Sequence, residues 1–342
     1  MIILIVTPTR NVEKFLDETI FNILSQAGDF KLHYHIQDSQ STDGTIDIIK
    51  KWEHILNTSE TPFQKSKISF SWVSESDQGM YDAINRGFAY LTEKVQVVNP
   101  NQVVMTWING DDILTPGAIQ TVVQFFSASE YQWLTGVASL IRNDSAFMDL
   151  RDSPWGFSKS FLKQGLYDGR YFDFVQQEGT FWRQSLWQVA GPLDSTLKLA
   201  GDWDLWRRFA NHSELLTLRA VLGLHRRRRG QLSSSLEAYY QEVDAVLQEH
   251  NLGAVSLDPI EQQHYALTAR WNNELAKWQI DTQETVFSLQ ADLSLRLSQH
   301  TESRSNLAQA LDSLESALRK SETLLRFSSG KSAVRDGENQ PE

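Results

Sequence analysis

Between Met1 and Asp112 the chain switches repeatedly between two apolar periods, and few folds accept that alternation. Ile2 to Val6 is a continuous apolar run of strand length, followed by the turn Thr7-Pro8-Thr9-Arg10-Asn11. Phe15, Ile20, Ile23 and Leu24 then recur at helical spacing. Leu32 to Gln37 reads as a second strand. Thr45 to Leu56 reads as a helix with Ile46, Ile49 and Trp52, or Ile48 and Leu56, on its inner face. Ile68 to Val73 reads as a third strand, Gly79 to Leu91 as a helix and Val103 to Ile108 as a fourth strand. This β-α-β-α order predicts an α/β fold with a mostly parallel sheet and helices on its faces. Ligands of such sheets sit beyond the carboxyl ends of the strands. Asp38 and Asp111-Asp112 stand at two such ends, and Asp77 lies just past a third.

Composition narrows the function more than the fold. The 342 residues are 41% apolar and 22% charged, ordinary for a soluble globular protein, and no apolar run approaches bilayer-spanning length. No basic segment precedes the first apolar run, so it reads as a buried strand and not a signal sequence, and a cytoplasmic location is expected, with the inner membrane face left open as a peripheral site. The net charge of -11 argues against nucleic acid as a partner. Without cysteine there are no disulfides, thiolate metal sites or cysteine nucleophiles. The chain also lacks a Gly-x-Gly-x-x-Gly fingerprint, a complete phosphate loop, a Gly-x-Ser-x-Gly elbow and a His-Glu-x-x-His helix.

Two acidic segments carry chemistry. Asp38-Ser39-Gln40-Ser41-Thr42-Asp43-Gly44-Thr45 follows a strand and opens a helix; a carboxylate there suits a base N–H, although the same residues make a plain turn and helix cap. Asn109-Gly110-Asp111-Asp112 sends two carboxylates out together from a strand end. Hard cations such as Mg²⁺ or Mn²⁺ use one or two carboxylates and bridge to substrate phosphates, where they neutralise a departing diphosphate; a simple turn is the competing reading.

Taken in order, Thr7 to Asn11, Asp38 to Thr45, Ser76-Asp77-Gln78-Gly79-Met80-Tyr81-Asp82-Ala83-Ile84-Asn85-Arg86-Gly87 and Asn109 to Asp112 resemble the family 2 glycosyltransferases over Met1 to about Ser235. The resemblance implies the A-type glycosyltransferase fold and transfer with inversion. It implies nucleotide-sugar contacts at Thr7, Pro8, Arg10, Asp38, Asp77, Asp82, Asn85 and Asp111, and Mn²⁺ or Mg²⁺ on Asp112. Asp82 and Asn85 could equally brace their helix. Gln177-Glu178-Gly179-Thr180 resembles the acceptor-side segment, so Glu178, Trp203 and Arg226 are expected near the acceptor. Gly201-Asp202-Trp203-Asp204 resembles the motif carrying the general base, which points to Asp202, with Asp204 as fallback; the family often has Glu where this chain has Gly201. Before Gly230-Gln231-Leu232-Ser233, Arg226 matches a family Arg, but Arg228 stands where a metal-binding His is frequent, and His225 is the nearest substitute.

The expected organisation is a catalytic domain over 1–235, a helical extension over 236–327 with a heptad pattern at about 293–325, and a disordered tail over 328–342. Leu293, Leu297, Leu307, Leu311, Leu314, Leu318 and Leu325 occupy a and d positions, which suits a homo-oligomeric coiled coil. The expected activity is metal-dependent, hexosyltransferase-like transfer from a nucleotide-diphosphate sugar to a hydroxyl of a glycan or lipid-linked acceptor, in polysaccharide or glycan assembly. A nucleotidyltransferase and a non-catalytic sugar-nucleotide-binding scaffold acting through the coiled coil are the alternatives.

Overall fold

The computed structural model describes residues 1–284 except 59–62, 64–66, 97, 152–155, 171, 229–230, 232–234 and 253–264. The heptad segment, the tail and Trp155 lie outside the described residues. In chain order the elements are β1 (Ile2–Thr9), α1 (Leu16–Leu24), β2 (Lys31–Asp38), α2 (Thr45–Asn57), β3 (Ile68–Ser74), α3 (Met80–Val95), β4 (Val103–Trp107), β5 (Ile113–Leu114), α4 (Ala118–Ser127) and β6 (Trp133–Thr135). They continue with β7 (Ala138–Ile141), β8 (Phe147–Arg151), α5 (Lys159–Lys163), β9 (Thr180–Arg183), α6 (Gln184–Ala190) and α7 (Gly201–His212). The last are β10 (Leu215–Leu218), β11 (Gly223–Arg226), α8 (Leu236–Glu249), β12 (Tyr265–Asn272) and β13 (Lys277–Glu284). The strands and helices read from periodicity up to Ile108 all form, within a few residues of the expected bounds.

The main sheet runs β13-β12-β10-β6-β9-β4-β1-β2-β3, and a smaller sheet runs β5-β11-β7-β8. In the main sheet β1 is parallel to β2 and β4, β2 to β3, and β10 to β6 and β12. Only β9 and β13 run against their neighbours. The parallel part therefore has one common carboxyl edge, as β-α-β connections require.

Strand alternation sorts the core onto two faces. Leu4, Val6, Met105 and Trp107 pack with α3, α5, α6, α7 and α8, while Ile3, Ile5, Val104 and Ile108 pack with α1, α2 and α4. The aromatic residues after Tyr131 are chiefly core. Trp206 stacks on Trp107 at 5.8 Å and 10°, and on Trp133 at 5.8 Å and 29°, with Trp182 edge-on at 5.7 Å.

The region from Leu236 departs from the helical expectation. Only α8 is helical in its described part, and β12 and β13 add a hairpin to the end of the main sheet, β12 pairing with β10. The catalytic sheet thus extends beyond residue 235.

Gly87 brings α3 close to β1: an added Cβ would lie 2.6 Å from Val6 Cγ1 and 3.0 Å from Cγ2. Gly87→Ala is therefore expected to lower stability by about 1–3 kcal/mol through overpacking, measured as a shift of the urea midpoint at unchanged m value.

Candidate active site

The carboxyl edge is assembled first by a buried carboxylate. Asp38, at the end of β2, has no solvent access. It accepts from Thr9 Oγ1 at 3.0 Å, Ser41 N at 2.9 Å, Ser41 Oγ at 2.5 Å and Ser74 Oγ at 2.6 Å. One side chain thus ties together the ends of β1, β2 and β3. The four donors engage both oxygens of Asp38. Thr7 is likewise buried, accepting from Tyr34 Oη at 3.0 Å. Pro8 is buried within β1, and Arg10 is exposed just past its end.

Past β3, Asp77 accepts from Gly79 N at 2.9 Å with Oδ1, while its buried Oδ2 has no hydrogen-bond partner. An orphaned buried carboxylate oxygen is costly and marks a position that a ligand donor would satisfy. Asp82 is consumed by Gln78 N and Arg86. Asn85 makes a two-point bond with Leu193, donating to its O at 2.8 Å and accepting from its N at 3.0 Å. Asp82 thus caps the start of α3, and Asn85 ties that helix to Leu193.

The turn after β4 holds Asp111 and Asp112 against β11. Asp112 is 1% exposed and accepts from Arg226 N at 2.7 Å and Asn109 Nδ2 at 3.1 Å. His225 Nδ1 lies 3.6 Å from Asp112 Oδ1 and 3.1 Å from Glu178 Oε1. Burial and the Glu178 charge push the Asp112 carboxyl above its ordinary value. Burial opposes charge on His225, but Glu178 and Asp112 outweigh it and raise the imidazole. At Glu178 burial is overcome by His225, which holds that carboxyl low. Asp112, Glu178 and His225 place ligand atoms within 4.8 Å of one another, among the described residues the one such group. Two carboxylate oxygens and an imidazole nitrogen form a donor set that Mn²⁺-type cations accept, so these residues fit a divalent metal. The grouping of His225 with Asp112 becomes visible only once β11 pairs with β5. In sequence His225 is one histidine beside an arginine run.

Arg226 and Trp203, expected near the acceptor, are interior residues. Arg226 is 1% exposed and donates to the carbonyls of Asp111, Arg142 and Asn143, to Ser145 Oγ and to Glu18 Oε2. Trp203 donates Nε1 to Gly165 O at 3.0 Å and packs in the core. Glu178 is buried against His225.

Asp202 occupies the first turn of α7 and is half-buried. Tyr81 Oη, from the first turn of α3, lies 3.4 Å from Asp202 Oδ1 and donates to Leu199 O at 3.0 Å. Burial pushes the Asp202 carboxyl up to about 6, against the bond from the Trp203 amide. The missing glutamate at position 201 has a steric cause. A Cβ on Gly201 would lie 2.6 Å from the Tyr81 ring, so Tyr81 takes the space a side chain would need. Asp204, the fallback base, is buried and paired with Arg207 and Arg208.

A family model described as Glycosyl transferase family 2 matches residues 4–189, more than half of the chain. The chain belongs to glycosyl transferase family 2. It is a glycosyltransferase with the A-type fold of that family. Among solved structures, S. aureus TarS residues 1–349 in complex with UDP-GlcNAc is similar at a TM-score of 0.52 and 16% identity, over 75% of this chain and 68% of that one. A crystal structure of S. aureus TarS has a TM-score of 0.50 at 15% identity, over 75% of this chain and 40% of that one. The mannosyltransferase PcManGT from Pyrobaculum calidifontis, in complex with GDP-Man and Mn²⁺, has a TM-score of 0.49 at 14% identity, over 98% and 81%. No curated protein matches the sequence. Among the described residues no helix of this glycosyltransferase is long and apolar enough to cross a membrane.

The two arginines of the edge separate in a stability measurement. Arg226→Ala is expected to cost about 3–5 kcal/mol, because it strands buried partners. Arg228→Ala, which removes a partly exposed pair with Asp111, is expected to cost about 1 kcal/mol or less. Chemical denaturation of both variants tests the contrast; equal losses would place Arg226 on the surface.

Proposed function

We propose that this glycosyltransferase transfers a sugar, with inversion, from a nucleotide-diphosphate sugar to an acceptor hydroxyl, and that Asp202 is the general base. The observation that carries the reading is a half-buried carboxylate with its pKa raised to about 6, at the start of α7 and against the first turn of α3. A base poised near neutral pH is what proton abstraction from a hydroxyl requires. Asp202 takes the acceptor's O–H proton, the acceptor oxygen bonds to the anomeric carbon, and the bond from that carbon to the diphosphate oxygen breaks with its electron pair leaving on the nucleoside diphosphate. Attack opposite the leaving group inverts the anomeric centre.

Tyr81 positions the base: its hydroxyl is anchored on Leu199 O and its ring supports Gly201. At the other end of the site, Asp77 offers an unpaired oxygen to a donor group of the nucleotide. Asp112, Glu178 and His225 would hold Mn²⁺ or Mg²⁺, whose charge stabilises a departing diphosphate when bound. The acceptor belongs to polysaccharide or glycan assembly in this reading, whose support is family membership. UDP-GlcNAc, held by the similarly folded TarS, is the first donor to assay.

Two measurements test the reading. Calorimetric titration of UDP and GDP with and without Mn²⁺ should give binding strengthened by the metal, and Asp112→Asn, which keeps the side-chain shape, should remove that metal dependence. No nucleotide binding under any condition would leave a scaffold role as the better reading. The second is a pH profile of turnover. With the carboxylate as the active form, kcat should fall as pH drops through about 6 and level off above it. Asp202→Asn should lose about 10²–10⁴-fold in kcat and lose that limb. Because the ionised form is the one burial disfavours, Asp202→Asn should also be more stable than the parent above pH 6.

A further inference from the structure

Among the described residues all three nitrogens of the Arg226 guanidinium are bonded, whereas Arg228 engages one. Arg226 spends its donors on Asp111, Arg142, Asn143, Ser145 and Glu18. The Arg228 side chain is 30% exposed; its Nε donates to Asp111 Oδ2 at 2.5 Å, and among the described residues Nη1 and Nη2 have no acceptor. Its guanidinium lies 5.8 Å from the centre of the Phe15 ring, which also carries Arg226 at 5.0 Å, so the plane is supported on one side. Arg228 lines a cavity of about 210 Å³ with Asn11, Lys14, Phe15 and Asp43. That cavity lies between the turns that follow β1 and β2, at the carboxyl ends of adjacent parallel strands. The carboxylates that also line it are turned to backbone: Asp43 accepts from the Thr45 and Glu13 amides, and Glu13 from the Gly44 amide. Lys14 and Arg228 are the cationic side chains that line it.

We infer that Arg228 is the arm that grips the donor's diphosphate, exchanging Asp111 for phosphate oxygens when a nucleoside diphosphate enters. The inference rests on the nucleotide-sugar reading above. A planar guanidinium with two free nitrogens offers phosphate a two-point bond that a single Nε–carboxylate contact does not provide. A partly exposed ion pair contributes little, so its exchange for a doubly charged partner is favourable. The exchange also releases Asp111, held on its main-chain side by Arg226, to accept a hydroxyl from the same ligand. Phosphate and hydroxyl in one molecule open the pair together, whereas a nucleoside alone leaves Arg228 where it is.

The test is calorimetric titration of UDP, UMP, GDP and GMP into the full chain and its Arg228→Ala and Arg228→Lys variants, in Mn²⁺ and again in EDTA. Arg228→Ala should weaken the diphosphate by about tenfold or more, shrink the diphosphate-to-monophosphate affinity ratio under both conditions, and leave the melting temperature near that of the parent. Arg228→Lys, which keeps the charge without the fork, should recover part of the ratio. A diphosphate that binds the parent well, with the same ratio in Arg228→Ala, would overturn the inference and leave the nucleotide-sugar reading intact. A parent that binds none of the four nucleotides would overturn both.

Discussion

A guanidinium shut away from water must find an acceptor inside the protein for each of its N–H groups, and the way Arg226 meets that demand fixes the carboxyl edge. Its acceptors come from the turn after β4, the turn between β7 and β8, and α1, while its own amide holds Asp112. Four segments distant in sequence are thereby held in one place. The backbone of Asp111 and the side chain of Asp112 are aimed by the same residue, one through its side chain and one through its amide. Thr19 adds a second tie, donating to the carbonyls of Gly110 and Asp112. The acidic turn is therefore rigid before any ligand arrives, which is the condition for electrostatic stabilisation without reorganisation.

Where the apolar period was regular, the sequence could be read nearly to the residue, because a parallel strand buried on both faces and an amphipathic helix leave distinct patterns. The β-α-β order also placed Asp38, Asp77 and Asp111-Asp112 on one edge without any motif. What could not be read was which polar groups are already satisfied. Asp38 stands where a ligand-facing carboxylate would stand, and only the convergence of Thr9, Ser41 and Ser74 turns it into a pin. Arg226 and Arg228 belong to one run of four, and nothing local distinguishes the interior guanidinium from the partly exposed one. The hairpin was a different kind of miss. Leu267, Ala269 and Trp271 alternate with polar residues, as do Trp278 and Ile280, so a period of two was present beneath a composition suggestive of helix.

The departures from the family pattern at positions 201 and 228 coincide with local packing. Gly201 replaces a frequent glutamate because Tyr81 lies against its α-carbon, and the same tyrosine hydroxyl approaches Asp202. One aromatic residue thus removes an acidic neighbour and supplies a polar one. Arg228 replaces a frequent histidine, and the imidazole that lies near the carboxylates comes instead from His225, beside Arg226 on β11.

Asp111, Asp112, Glu178 and Asp202 divide into two sets by what surrounds them. Asp111 faces Arg228, and Asp112 and Glu178 share His225, so each of these charges has a cationic neighbour within the protein. Asp202 makes no ion pair among the described residues and is bonded by the Trp203 amide and the Tyr81 hydroxyl. A helix N-terminus favours the ionised carboxylate, yet burial at Asp202 prevails and lifts its pKa to about 6. Paired carboxylates are suited to receiving a cation or ordering a polar ligand, and they make poor bases because their charge is already compensated. An unpaired carboxylate, desolvated but near an open edge, is suited to taking a proton and returning it. In the proposed mechanism, the assignment of Asp202 as base and of Asp112 and Glu178 as cation holders follows which of these acids the fold gives a counter-charge.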